Sequence, residues 1–307
     1  MSGRWMDVLA PLVALALAPL LAGIIGKTKA LVGGRTGAPV LQLYRDLRRL
    51  LGKGEVVSET ATWVFRAAPS VSLAALTAAL LLLPEGPMGP PLSFAGDLVL
   101  FAYLLALSRF ALVAGAMDAG SSFEGMGASR EAAFSALAEP AFFLVLGGLA
   151  WARGGLSLAA ALGGEGAAAW GPAPALLLMA GALFLVLLSE NSRIPVDDPA
   201  THLELTMIHE VMVLDHSGPD LAFILYGASL KLWLYSALFV SLLLPPGSSW
   251  GGRFLLFLSG VALTGVLVGL VEGVMARLRL SRVPQYLGLA AALAGFAALL
   301  LMAGGRP

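Results

Sequence analysis

The chain of 307 residues contains no cysteine and carries little charge. Without cysteine it cannot form disulfides, thiolate metal sites or iron–sulfur clusters, so a redox cofactor of that kind must belong to a partner. Only 12% of its residues are charged, against about 25% in soluble domains. The formal net charge is zero, which gives no support for nucleic-acid binding.

Apolar residues, in contrast, make up 58% of the chain, and the mean hydropathy is +0.87. This composition predicts an all-α membrane protein, a single integral membrane domain over residues 1–307 with amphipathic cytoplasmic loop helices. Apolar runs of about 20 residues are long enough to cross a bilayer, and we expect eight transmembrane helices. The predicted spans are Met6–Ile25, Phe65–Leu83, Leu98–Met117, Phe134–Trp151, Pro174–Ser189, Leu221–Leu244, Phe254–Met275 and Pro284–Met302.

The basic residues are distributed unequally between the two sides of these spans. Loops after the odd-numbered spans hold 13 of the 19 Lys and Arg residues, and the other side holds 4. The positive-inside rule therefore predicts a multi-pass protein of the inner (plasma) membrane with both termini outside. The three large loops, about residues 26–64, 118–133 and 190–220, are expected in the cytoplasm. Glu124, in the second loop, is expected to be solvated.

The first large loop contains a segment, Val40–Leu51, with leucines at helical spacing and charged residues on the other faces. This pattern predicts a basic amphipathic helix at the membrane surface. Contact with lipid headgroups and docking of a partner protein both remain open. We predict that loops Arg35–Lys53 and Arg193–Glu210 form a docking surface. The docking candidates are Arg35, Gln42, Tyr44, Arg45, Asp46, Arg48, Arg193 and Asp197.

The third large loop concentrates ionisable groups between two apolar runs. Asp198 and Pro199 suit the start of a helix, as N-cap and first residue. His202 and His209 share a helix face, but no third ligand stands at the spacing of a known metal site, so we predict no metal here. A proton relay is favoured because histidine titrates near neutral pH.

Charged residues also lie inside the predicted spans. Lys231 is the deepest of them, and it is expected to face the bundle interior, whereas Arg109 and Glu272 could snorkel towards a surface. Buried lysine requires acidic partners, and we predict one proton-conducting polar track. Its members are Glu139, Glu190, Glu204, Glu272, Lys231, Asp198, His202 and His209.

Three motifs resemble those of a membrane-subunit family of complex I, the family of mitochondrial subunit 1. They are Arg35–Pro39 followed by Gln42–Leu51, Gly115–Glu131, and Glu190–Asp198 with Glu204. The third loop is most similar to the membrane subunits of group 4 [NiFe]-hydrogenases, of the hydrogenase-4 and formate hydrogenlyase type. The resemblance implies a non-catalytic membrane anchor and proton-path subunit.

The resemblance also implies partners. They are soluble hydrogenase-like large and small subunits, an iron–sulfur subunit, antiporter-like membrane subunits and the lipid bilayer. It places the NiFe centre and the iron–sulfur clusters in those partner subunits, with no cofactor in this chain. Two alternatives stay open. One is the corresponding membrane subunit of a quinone-reducing NADH dehydrogenase (complex I), although Val196, Asp198, Thr201 and His202 depart from that branch. The other is a stand-alone secondary transporter, which the absence of an internal repeat disfavours.

Overall fold

The computed structural model describes residues 4–162, 173–198, 207–244 and 250–304. Over these ranges the chain is helical, with an isolated bridge between Glu85 and Met88 and no strand. The helices are α1 (Arg4–Val32), α2 (Gln42–Leu51), α3 (Trp63–Leu80), α4 (Asp97–Asp118), α5 (Ser122–Arg153), α6 (Leu158–Leu162), α7 (Ala173–Glu190), α8 (Gly218–Leu243), α9 (Trp250–Val274) and α10 (Val283–Ala303). Two 3₁₀ turns, Glu210–Val213 and Leu280–Arg282, precede α8 and α10.

The predicted all-α membrane class is confirmed. Within the described ranges, seven helices are long and apolar enough to cross a membrane: α1, α3, α4, α5, α8, α9 and, with the turn before it, α10. The predicted fifth span corresponds to α7, whose apolar segment Pro174–Glu190 is shorter than the rest. The count of eight transmembrane helices therefore stays a prediction.

The helices alternate in direction between two ends of the bundle. We call the basic face the end where α1, α4, α7 and α9 finish and where α3, α5, α8 and α10 begin. Asp118, the last residue of α4, accepts hydrogen bonds from the amides of Thr62 and Phe65, which joins the end of α4 to the start of α3. The connection between α3 and α4 lies at the opposite face.

Helix α5 begins earlier than predicted. The expected loop at residues 118–133 is largely the first part of this 32-residue helix. Glu124, Arg130 and Glu131 interrupt the apolar run that marks a span, yet glutamate and arginine are good helix formers. As a result Glu139, expected near a helix end, lies about 25 Å along α5.

Gly265 and Gly269 of α9 bring that helix into close contact with α1. A Cβ atom added at Gly269 would lie 2.7 Å from the Cβ of Thr28 and 2.9 Å from the carbonyl oxygen of Ile25. Small residues allow this approach between membrane helices, where packing replaces hydrophobic burial as the driving force. Gly147 on α5, by contrast, has no neighbour within 4 Å of an added Cβ, so it takes no part in a close helix contact of this kind.

Two tyrosines attach other helices to the middle of α1. Pro19 has no N–H, so the carbonyl of Leu15 loses its helical donor. The hydroxyl of Tyr226, on α8, donates to that carbonyl at 2.8 Å. The hydroxyl of Tyr44, on α2, donates to the carbonyl of Ala16. Helix α2 is thereby fixed against α1.

Candidate functional site

Helix α7 ends at Glu190 and is followed by turns up to Asp198. Asn191 turns its side-chain amide back to the carbonyl of Leu187 at 2.8 Å, and Ser192 adopts a left-handed conformation with φ 52°. Non-helical backbone at membrane depth is tolerated where it is buried in protein or lines a water-filled cavity. This break aims Glu190, Arg193 and Asp197 at the surrounding helices.

Glu190 lies at the centre of a buried charge cluster. Its Oε1 is 2.6 Å from Nη1 of Arg109 on α4, and its Oε2 is 3.0 Å from Nζ of Lys231 on α8. The side chain of Glu190 is only 6% exposed. Tyr235, four residues after Lys231, lines a cavity together with Glu190. Two cations therefore hold one carboxylate inside the bundle.

Arg109 also joins this cluster to the side of the bundle. Its second guanidinium nitrogen pairs with Glu139 on α5, whose side chain is 42% exposed. A cavity of about 180 Å³ lies beside this pair and is lined by Tyr103, Phe143 and Tyr235, among others. Arg109 thus bridges an interior carboxylate and one at the lateral surface, instead of snorkelling as expected.

A second group of ion pairs surrounds Glu272 of α9. Arg193 lies 3.3 Å from its Oε1, and Lys29 of α1 lies 3.6 Å from its Oε2. Lys29 also reaches Asp198 at 3.3 Å. The break after α7 is therefore connected by charge to α1 and α9, and three of the predicted track residues, Glu190, Glu272 and Asp198, lie around it.

Asp197 closes the loop that follows the break. It pairs with Arg277 at 2.9 Å and accepts hydrogen bonds from the amides of Ile208 and His209 at 3.2 and 3.1 Å. Burial raises the pKa of Asp197, and Arg277 opposes that change. Arg193 and Asp197, both predicted to dock a partner, are thus engaged inside the bundle.

A cavity of about 60 Å³ connects the two groups of ion pairs. Its charged or titratable lining residues are Arg109, Glu131, Glu190, Arg193, His209 and Lys231. A volume of this size holds a few water molecules, and its polar lining offers each of them partners. Sequence reasoning missed Glu131 and Tyr235, although Tyr235 stands one helical turn from Lys231.

His209 is buried in this lining. Burial, together with Lys231 and Arg193, lowers the pKa of His209 to about 4. The imidazole is therefore neutral at pH 7, where it can donate one hydrogen bond and accept another. His202 and Glu204, the remaining track candidates, lie outside the described residues.

The predicted docking helix presents a mixed surface. Gln42 and Asp46 are hydrogen-bonded to each other at 3.1 Å, and Tyr44 is used to attach α2 to α1. The exposed basic positions are Arg35, in the segment before the helix, and Arg45, Arg48 and Arg49 on it. These arginines can face a headgroup or a partner surface.

Glu124 is fully buried, against the expectation that it is solvated. Its Oε1 accepts a hydrogen bond from the amide of Asp215 at 3.1 Å. The segment around Val211 packs against the start of α5 at Gly127, where an added Cβ would lie 2.4 Å from Cγ1 of Val211. This segment covers the carboxylate of Glu124. The hydrogen bond between Glu124 and Asp215 joins residues about 90 positions apart in the sequence.

The described residues form no group with the geometry of a metal site. Across residues 4–162, 173–198, 207–244 and 250–304, no group of three or more His, Asp or Glu residues is arranged to hold a metal ion.

Comparisons with known proteins extend over almost the whole chain. The model of the protein family described as NADH dehydrogenase matches residues 6–303. Formate hydrogenlyase subunit 4 of Escherichia coli (strain K12) is 33% identical over 294 residues, which cover 91% of this chain and 94% of that protein. Hydrogenase-4 component C of the same organism is 31% identical over 270 residues, or 86% and 84%.

A similar fold occurs in a solved structure. A chain of the membrane-bound sulfane sulfur reductase, an archaeal respiratory membrane complex, superposes with a TM-score of 0.84 at 20% identity. The match covers 98% of this chain and 100% of that one. At this identity the likeness concerns the fold alone.

Proposed function

Because this chain belongs to the NADH dehydrogenase family, we propose that it is the membrane anchor and proton-path subunit of a respiratory group 4 [NiFe]-hydrogenase-like complex. Its relatives over most of the chain are subunits of formate hydrogenlyase and hydrogenase-4. The observation that carries the proposal is Glu190, held by Arg109 and Lys231 beside a small polar cavity inside the membrane domain.

The chain's own chemistry suits proton movement. It has no cysteine to ligate an iron–sulfur cluster, so electron transfer belongs to partner subunits. Buried carboxylates and a lysine in contact titrate as a unit, and a charge change nearby redistributes protons among them. A redox event in a docked partner would alter the field at Arg193, which lines the cavity, and at Glu272, its ion-pair partner. Glu190 would respond through Lys231 and Arg109.

The proposed path through the protein uses the same residues. Protons enter from the basic face through the break after α7 and its cavity. They pass to the cluster of Glu190, Lys231 and Arg109, and Arg109 connects the cluster to Glu139 at the lateral surface. There an antiporter-like membrane subunit completes the path. The excess of Lys and Arg at the basic face supports a cytoplasmic location for that face, with both termini outside the inner membrane.

Docking of the soluble module is assigned to α2. Arg45, Arg48 and Arg49 are exposed at the basic face, while Tyr44 fixes the helix to α1. A rigid helix with exposed arginines suits an acidic protein surface, since guanidinium groups bind carboxylates in pairs of hydrogen bonds. The partners proposed on this basis are soluble hydrogenase-like subunits that carry the NiFe centre and the iron–sulfur clusters.

Quinone reduction is the competing function within the same family. Binding pockets for ligands of drug size occupy about 300–1,000 Å³. The two cavities lined by Glu190 offer about 60 Å³ and about 180 Å³ within this chain, and both volumes lie below that range. Hydrogen evolution and bound nickel in the purified complex, without quinone reductase activity, are the expected result; quinone reduction without nickel would overturn the hydrogenase assignment.

Proton pumping tests the path directly. Glu139→Gln and Lys231→Ala, each in the intact complex reconstituted into vesicles, should lower the number of protons pumped per turnover while redox chemistry continues. Glu59→Gln, at an exposed position, is the matched control and should pump normally. If both Glu139→Gln and Lys231→Ala pump with normal stoichiometry, the cluster is a set of structural ion pairs.

A further inference from the structure

The connection between α3 and α4 folds into the end of the bundle opposite the basic face. Its residues 82–85 are all buried. Glu85 and Met88 exchange two backbone hydrogen bonds of 3.1 Å, which close a tight turn. Gly86, with φ +63°, packs on the ring of Phe257 of α9, where an added Cβ would lie 2.8 Å from that residue's Cβ. The turn holds the Glu85 side chain inside the protein.

Glu85 has an unusual environment for a carboxyl group. It is 1% exposed. Its Oε1 accepts a hydrogen bond from Nε1 of Trp233 at 3.0 Å, and its Oε2 has no hydrogen-bond partner among the described residues. A carboxylate with a single donor in such a place is costly, and burial raises the pKa of Glu85 to about 8. The group is therefore a neutral acid at pH 7.

Charged neighbours do not account for this state. The elements packed on the turn carry Asp7, on α1, which binds the amide of Gly89 at 3.2 Å, and Arg253, on α9. Helix α8 presents Trp233. Burial and the opposing Trp233 hydrogen bond are the contributions to the shifted pKa of Glu85, and no charge adds to them.

Helix α8 connects Glu85 to the cluster at Glu190. Successive residues of a helix are separated by roughly 100° around its axis. Tyr235, Ser236 and Trp233 therefore follow one another around α8, with Ser236 between the side that faces Glu190 and the side that faces Glu85. The hydroxyl of Ser236 is buried and, like Oε2 of Glu85, has no partner among the described residues. Buried oxygens of this kind are sites where proteins bind water.

We propose that Glu85 is a protonation site at the outer end of a second branch of the proton path. This branch leaves the cluster at Glu190 along α8, past Tyr235 and Ser236, and is separate from the lateral branch through Glu139. The step is a simple acid–base exchange. The neutral acid releases the proton on Oε2 to water beyond half-exposed Gly86 and Pro87, and the carboxylate keeps the Trp233 hydrogen bond. A proton arriving from the cluster restores the acid. This inference rests on the proposed proton-path function and extends it to the opposite face.

Infrared difference spectroscopy on the purified complex tests the protonation state without reference to pumping. The wild type should show the carbonyl band of a neutral carboxylic acid that disappears as the pH rises through about 8. Glu85→Gln should lack that band. Trp233→Phe removes the donor that favours the carboxylate, so the band should persist to higher pH. If Glu85→Gln removes no acid band, the proposal is wrong.

Pumping by the reconstituted complex tests the role of the site. Glu85→Gln, which resembles the neutral acid in shape, should lower the number of protons pumped per turnover and spare redox turnover, with exposed Glu59→Gln as the control. If Glu85→Gln pumps normally while Lys231→Ala is impaired, the role of Glu85 is wrong and the proton-path function stands. Normal pumping by both would remove the proton-path function as well. If Glu85→Gln does not assemble, an unshifted titration in Trp233→Phe overturns the proposal.

Discussion

Arg109 and Lys231 bind different oxygens of one carboxylate, Oε1 and Oε2 of Glu190. The two cations come from different helices, α4 and α8, so the carboxylate of α7 ties three helices together. Neither cation is more than 14% exposed. Without Glu190, Lys231 would lose its ion pair and Arg109 would keep only the pair with Glu139. The cluster is therefore both a structural junction and a place where protonation of one group changes the others.

Replacing Glu190 by glutamine should lower stability by about 3 kcal/mol, because removing one partner of a buried ion pair leaves charge uncompensated. Thermal unfolding of the purified protein in detergent measures the change. The double variant Glu190→Gln, Lys231→Met should regain part of the loss.

Glu139→Gln is the comparison for that variant. Its carboxylate is 42% exposed, so water replaces part of the lost interaction and the loss should be smaller. Equal unfolding temperatures for Glu190→Gln and Glu139→Gln would contradict the assignment of Glu190 as the buried centre.

Charge reversal on α2 should release the soluble module. Arg45→Glu, Arg48→Glu and Arg49→Glu together place three acids on the proposed docking surface. We expect the soluble hydrogenase-like subunits to be lost from washed membranes while this chain stays inserted. Arg279→Glu with Arg282→Glu reverses two exposed charges on the same face and should leave the module bound. If both variants release the module alike, the total charge of the basic face binds it, and the assignment of docking to α2 is wrong.

Acidification should weaken the protein through His216. This imidazole stacks on Phe65 with ring centres 3.9 Å apart, and burial lowers the pKa of His216 to about 4. The native state then binds fewer protons than the unfolded chain between pH 6.5 and 4. The contribution of His216 to the free energy of unfolding is therefore complete above about pH 6.5, and it is lost as the pH falls towards about 4. The loss from about pH 7 to about pH 5 is on the order of 2 kcal/mol.

His216→Phe keeps a ring against Phe65 and removes the titration. Its unfolding temperature should change less between pH 7 and pH 5 than that of the wild type. His209, also with a pKa of about 4, contributes in the same direction and remains in both proteins. An unchanged pH dependence in His216→Phe would assign the effect to other groups.

Gly269→Ala should separate α1 from α9. The added methyl group would stand 2.7 Å from the Cβ of Thr28, too close for either backbone to stay in place. Overpacking of this kind costs about 1–3 kcal/mol. Gly147→Ala has open space and should be neutral or slightly stabilising, since alanine favours a helix. Thermal unfolding of the two variants compares them, and a destabilised Gly147→Ala would show that open space does not predict tolerance.

Hydropathy and charge spacing were sufficient to predict the membrane class, the positions of the long helices and the basic amphipathic α2. Hydropathy misplaced the start of α5, because polar helix-forming residues look like a loop when only apolar runs are counted. The number of spans depends on α7, whose apolar segment is short because the polar break begins at Glu190.

The site was harder to predict from sequence. Lys231 and its acidic partners were selected because an intramembrane charge needs compensation. That argument named Glu139, Glu190 and Glu272 as candidates, and Glu190 is the one that pairs with Lys231. It could not assign Arg109 to Glu190 and Glu139, since pairing depends on how α4, α5 and α7 pack. For the same reason Arg193 and Asp197 looked like surface groups, although their partners Glu272 and Arg277 lie about 80 positions away.

The break after α7 also has an electrical consequence. Arg109 lies roughly 13 Å along α4 from its end at the basic face, so Glu190 is reached well before the far side. With the basic face in the cytoplasm, as proposed, the polar turns and the polar cavity would carry the potential of the cytoplasm inward, and the voltage would fall mainly across the remaining thickness. Moving one charge through about 100 mV takes about 2.3 kcal/mol. Most of that work is done between Glu190 and the far side, and little of it in loading Glu190.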